Sequence, residues 1–139
     1  MTISHSETQT IELAQQLAEK VRDGGIILLY GDLGSGKTHF TKGLAEAFKI
    51  EKFSIKSPTY TYVRQYPLDD QNLYHIDLYR LEGEDPLLAE EIMEFAENPK
   101  NIIIIEWADR LHFPLPGSVI SVKFEYLDSH SRKITIDED

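Results

Sequence analysis

A chain of 139 residues and 16.0 kDa is one domain's worth, so residues 1–139 are expected to share a single core. Apolar residues at 41% can fill that core and exclude a disordered chain, while the longest apolar runs, Gly25–Tyr30 and Ile102–Ile105, fall far short of the ~20 residues of a membrane span. Fourteen Lys and Arg against twenty-four Asp and Glu leave a net charge of −10, which makes the chain a poor candidate for gripping nucleic acid by itself, because phosphate backbones demand basic surface.

The chain has no cysteine, which excludes a disulfide scaffold and a thiolate metal site. Its first ten residues lack the basic start and apolar stretch of a secretory leader. Both features point to a cytoplasmic protein.

The first helix is expected from about Ser6 to Arg22. Ile11, Ala14, Leu17, Ala18 and Val21 recur at helical spacing, and Ser6 with Gln9 resembles a capping box. Gly24-Gly25 stops it. Ile26–Tyr30 reads as a strand buried on both faces. A glycine-rich turn leads into a helix from about Lys37 to Phe48, with Phe40, Leu44 and Phe48 on one stripe. Thr59–Tyr66 and Leu73–Tyr79 form an expected hairpin across Pro67 and the polar Asp69–Asn72 stretch. Asp85-Pro86 opens a third helix, cap then first-turn proline, with Leu88, Ile92 and Phe95 as its apolar stripe. Ile102–Ile105 is a second buried strand. Ile120, Val122, Phe124 and Tyr126, then Ile134 and Ile136, alternate as a terminal hairpin. Two buried strands of parallel type with two antiparallel pairs predict an α/β fold around a mixed sheet. The segment from Glu82 to Glu97 carries seven acids and no Lys or Arg. It reads first as a solvated helix face, and alternatively as a docking surface for a basic partner.

Gly31-Asp32-Leu33-Gly34-Ser35-Gly36-Lys37-Thr38 fits G-x-x-x-x-G-K-[ST] in full. The glycines permit backbone angles that let successive N–H groups face phosphate oxygens. The following helix directs its positive end at the same anion. Lys37 adds a point charge for the β- and γ-phosphates, and Thr38 a hydroxyl for Mg²⁺. With a buried strand before and an amphipathic helix after, the expectation sharpens to a three-layer sandwich like that of the P-loop NTPases. Phosphoryl transfer also needs carboxylates to orient metal and water. Glu106 ends one apolar strand, before Trp107, and Asp77 ends another. A strand-end carboxylate can also cap a helix, and for Asp77 the two readings stand level. His75 shares a strand face with Asp77, and a hydrogen bond within the hairpin is its expected role. The tyrosines between Tyr60 and Tyr79 are expected to pack on the sheet.

The segments GDLGSGKTHFTKGL, SPTYTYV, YHIDLYRL and IIIIEWADRL, in this order in so short a chain, resemble the bacterial TsaE proteins, small P-loop ATPases of tRNA threonylcarbamoyladenosine synthesis. The likeness is strong from Gly31 to Leu111. It implies that Leu33, Gly34, Ser35, Gly36, Lys37 and Thr38 bind ATP, with Thr38 and Glu106 at Mg²⁺. It implies that Thr59 senses the γ-phosphate, that Asp77 lies beside the attacking water, and that Trp107 lies beside the nucleotide or a partner. Glu7 and Arg132 are implied nucleotide contacts from the two chain ends. His39 departs from the family pattern, standing where a second threonine is common. The resemblance further implies action on a TsaB–TsaD pair, of which TsaD attaches the threonylcarbamoyl group to the RNA. That agrees with an acidic chain needing a protein to hold tRNA for it. Two other readings use the same loop: a small-molecule kinase, and a nucleotide-gated binding module that needs no hydrolysis.

Overall fold

Ser6 starts the first helix as its spacing to Gln9 predicts. Its Oγ accepts the Gln9 N–H at 3.1 Å, and α1 runs Glu7–Lys20. The return arm of the box is displaced by one residue, because Gln9 Oε1 accepts from the N–H of His5 at 2.6 Å. Beyond α1 the chain turns through Gly24 at φ +119°, where a Cβ would lie 1.8 Å from the carbonyl oxygen of Pro99. Only glycine fits there, and the turn delivers the chain into β2, Gly25–Tyr30.

The computed structural model describes residues 2–31, 37–50, 63–78, 86–111, 114–128 and 131–138. After β2 come α2 (Lys37–Ala47), β3 (Val63–Pro67), β4 (Asn72–Asp77), α3 (Pro86–Ala96) and β5 (Ile102–Glu106). A 3₁₀ turn (Ala108–Arg110), β6 (Val119–Tyr126) and β7 (Arg132–Glu138) complete the order, preceded at the start by β1 (Thr2–Ser4). Of the strand expected over Thr59–Tyr66, residues 59–62 lie outside the described residues.

The strands form one sheet in the order β1-β7-β6-β2-β5-β4-β3. The four inner strands β6, β2, β5 and β4 are mutually parallel, and β7, β1 and β3 attach antiparallel. The mixed α/β sheet is as expected, and β1 is an addition. Its three residues are too few to show an alternating pattern, and it forms by pairing with β7, Ile3 opposite Lys133.

One core was expected from the length, but alternation along the inner strands sends side chains to two, one on each face of the sheet. One packs Ile27, Leu29, Ile104 and Val122 against Leu17 of α1 and Phe40 and Leu44 of α2. The other packs Ile26, Leu28, Ile76 and Ile105 against Leu88 and Ile92 of α3. The result is three layers, helices on both faces of the sheet. Tyr74 behaves as expected of a packing tyrosine, stacked on Phe95 at 3.8 Å between ring centroids. Buried Asn101 ties α3 to the sheet: its Nδ2 donates to the Phe95 carbonyl and its Oδ1 accepts from the Asn72 N–H, both at 2.9 Å. Glu90, Glu91 and Glu94 on α3 face solvent, as a solvated helix face requires, while Glu82, Glu84 and Asp85 lie outside the described residues. Among the described residues no helix is long and apolar enough to cross a membrane.

Candidate functional site

Four parallel strands end at one edge of the sheet, and open α/β sheets place their ligands at that edge. Here it gathers Gly31 after β2, Asp77 at the end of β4, Glu106 at the end of β5 and Tyr126 at the end of β6. The antiparallel neighbours bring the start of β7, Arg132, and the end of β1, Ser4, to the same edge.

The loop after β2 begins at Gly31 with φ +135°, and α2 opens at Lys37. The first turn of a helix offers unpaired N–H groups and the positive end of its dipole to whatever lies before it. α2 is held in place by close contact with α1, because a Cβ on buried Gly43 would come within 2.8 Å of both the Ala14 Cβ and the Ile11 carbonyl. Of the predicted phosphate-binding residues, Leu33, Gly34, Ser35 and Gly36 lie outside the described residues, as does Thr59. Lys37 and Thr38 are described by their backbone alone.

Asp77 and Glu106 are brought together. They are partners in the β4–β5 register, so their side chains leave the sheet on one face, and that face also carries Ile27, Leu29 and α2. The backbone locks the pair, since Leu78 N–H donates to the Glu106 carbonyl at 3.1 Å. A Glu106 carboxylate and a Thr38 hydroxyl are oxygen donors, the kind that Mg²⁺ takes with one or two carboxylates beside substrate phosphates.

His75 has a partner that the sequence did not suggest: its Nε2 lies 2.5 Å from Oε2 of Glu106, across the parallel β4–β5 pair. Both groups are nearly enclosed, with side-chain exposures of 9% and 15%. His75 opposes Ile104 in register, so Glu106 reaches back along its own strand to meet the imidazole. Sequence showed that His75 and Asp77 share a face. It did not show which strand lies beside that face.

Glu106 is followed by Trp107 in the left-handed region, φ 58° and ψ 45°, and the chain folds into the 3₁₀ turn. The Arg110 guanidinium lies 5.5 Å from the centre of the Trp107 ring. The same turn places Asp109 near the end of β2. Burial pushes the Tyr30 phenol up, Asp109 adds to the rise, and a hydrogen bond with Ser121 opposes it.

Glu7, at the start of α1, reaches α2: its Oε1 lies 3.3 Å from Nε2 of His39, the residue after Thr38. Arg132 pairs with Ser4 in the β1–β7 register. Its Nη1 donates to the carbonyls of Asp128 at 2.7 Å and Ser131 at 3.0 Å, and its guanidinium lies 4.9 Å from the Tyr126 ring centre. Glu7 therefore meets the first turn of α2, and Arg132 stands at the edge where the parallel strands end. The His39–Glu7 contact was not anticipated, although the departure at His39 was the signal for it.

Comparisons with known proteins bear on the fold and the family. A family model described as threonylcarbamoyl adenosine biosynthesis protein TsaE matches residues 4–134. Proteins named tRNA threonylcarbamoyladenosine biosynthesis protein TsaE include one from Aquifex aeolicus, 38% identical over 135 residues, covering 96% of this chain and 92% of its own. Another, from Rickettsia felis, is 37% identical over 139 residues, covering 98% of this chain and 78% of its own. The crystal structure of Bacillus subtilis YdiB superposes with a TM-score of 0.74 at 27% identity, over 97% of this chain and 82% of that one. The shared sheet and the family match over nearly the full length lead to one conclusion: this chain belongs to the TsaE family.

Proposed function

We propose that the protein binds ATP with Mg²⁺ at the edge formed by Gly31–Thr38, Asp77 and Glu106, and hydrolyses it in the service of tRNA threonylcarbamoyladenosine synthesis. The observation that carries this reading is the Asp77–Glu106 register, which puts two carboxylates side by side on the face that α2 covers. Loop amides and Lys37 would hold the β- and γ-phosphates and stabilise the charge that builds on the leaving phosphate. Asp77 would orient the water that attacks the γ-phosphorus as the bond to the β–γ bridging oxygen breaks. Thr38 and Glu106 would hold Mg²⁺, which when bound offsets phosphate charge. Thr59 would respond to the γ-phosphate, and Trp107, Glu7 and Arg132 would border the nucleotide.

A net charge of −10 makes direct tRNA binding unfavourable, so the protein would act through a TsaB–TsaD pair in the cytoplasm. P-loop enzymes often gain a catalytic arginine from a partner, which predicts slow turnover alone and faster turnover in the complex. Phosphate release with and without TsaB–TsaD tests this, with Lys37→Ala and Asp77→Ala as controls. Wild-type release that survives Asp77→Ala would refute the assigned water position. Label passing from ATP to a metabolite would favour the kinase reading. Full tRNA modification by a hydrolysis-dead Asp77→Ala variant would favour a nucleotide gate.

A further inference from the structure

We infer that His75 is a positioning residue for the metal-side carboxylate, its Nε2–H fixing Oε2 of Glu106 and with it the orientation of the whole carboxylate. The inference rests on the nucleotide reading above and concerns a residue that reading leaves without a role. A contact of 2.5 Å between Nε2 and Oε2 is within hydrogen-bond range, with the imidazole donating to the carboxylate in the tautomer that carries its proton on Nε2. A short, nearly enclosed bond to a charged acceptor is among the stronger hydrogen bonds a protein makes. It removes the rotamer freedom that a glutamate otherwise keeps at a strand end. With Oε2 taken by the imidazole, Oε1 is the oxygen that can turn to a cation while the pair stays intact.

The placement also favours a site role over mere packing. The residues before and after His75 on its face differ sharply: Leu73 belongs to the core under α1 and α2, and Asp77 belongs to the edge. His75 is the step between them. Filling core alone would be better done by a leucine, which carries no polar atoms to satisfy. Hydrogen-bond partners of ligating groups are worth about 10–100-fold in metal affinity.

The test uses full-length protein and Mg²⁺ titrated onto the complex with saturating ADP, read by emission of the sole tryptophan, Trp107, which follows Glu106, and by calorimetry. Glutamine carries its amide nitrogen as many bonds from the backbone as Nε2, whereas asparagine falls one short and leucine has no donor. His75→Gln is expected to keep the Mg²⁺ midpoint within about threefold, while His75→Asn and His75→Leu raise it about tenfold or more. ADP affinity in EDTA should change less than about twofold in all three, because the step affected is metal capture. Should His75→Leu fail to fold, the Gln and Asn pair decides, with melting temperatures alongside to separate stability from metal binding. Midpoints at the wild-type value for Asn, or a Gln variant as weak as Asn, would overturn the positioning role. Wild-type protein with no response to Mg²⁺ and ADP would instead sink the nucleotide reading, and this role with it.

Discussion

Gly43→Ala is the substitution that most directly tests how α2 is held against α1. A methyl there would stand 2.8 Å from the Ala14 Cβ, 2.8 Å from the Ile11 carbonyl oxygen and 3.0 Å from the Ile11 Cα. Carbon atoms rest about 3.5–4.0 Å apart, so α1 and α2 must separate by close to 1 Å. Overpacking costs about 1–3 kcal/mol, and a clash with backbone atoms that cannot rotate away belongs in the upper part of that range, about 2–3 kcal/mol. Alanine's helix propensity returns about 1 kcal/mol, and that gain should not cover the clash. The expected result is a net loss of roughly 1–2 kcal/mol, or about 3–8 °C in melting temperature for a chain of this length. Thermal unfolding followed by circular dichroism measures it. Adding Ala14→Gly should recover only part of the loss, because two of the three close atoms belong to the Ile11 backbone. An unchanged or higher melting temperature for the single variant would show that the helices do not meet at this spacing, and full recovery in the double variant would show that the backbone contacts are not real.

Ser6→Ala should cost about 1 kcal/mol in urea unfolding, because it removes the hydroxyl that caps α1 and leaves the Gln9 N–H without that acceptor; no loss would mean the cap is replaced by another acceptor. Asn101→Ala strands the Asn72 N–H and the Phe95 carbonyl together and should cost about 2–4 kcal/mol, a figure refuted by a loss under 1. The Tyr30 phenol is raised above its ordinary 10.0, so the unfolded chain releases that proton first and the folded state loses stability as pH climbs past about 10. Tyr30→Phe should flatten that alkaline decline, and parallel curves for variant and wild type would rule the phenol out as its source. Asp77→Asn should retain ADP binding and lose phosphate release, and loss of both would mean that Asp77 holds the nucleotide or the fold instead.

Local patterns carried most of the fold. Ser6 and Gln9 marked a helix start, Asp85-Pro86 another, and the runs Ile26–Tyr30 and Ile102–Ile105 marked strands covered on both faces. Each is a short-range signal, decided within about one helical turn or one strand. β1 escaped because three residues of mixed character, Thr2–Ser4, hold no period. What makes them a strand is the free edge of β7, more than a hundred residues away in sequence. The first helix also ended two residues early, at Lys20, where Val21 turns its N–H back to Ala18.

The candidate site divided along the same line. Asp77 and Glu106 were legible one at a time, as acids at strand ends, yet nothing local says that β4 and β5 are neighbours or that they align residue for residue. That register converts two separate carboxylates into a pair and gives His75 its partner, 31 positions along the chain. The expectation for His75 looked only to the strand nearest in sequence, β3, where its register partner is Arg64, and so did not reach Glu106. A buried strand has two neighbours, and a side chain on its face meets whichever supplies a charge within reach. On the β5 side that is Glu106, bent back from the edge. A motif of the form His75-x-Asp77 therefore does two jobs at adjacent steps of one strand face: the outer acid meets solvent at the edge, while the inner imidazole grips the acid of the next strand.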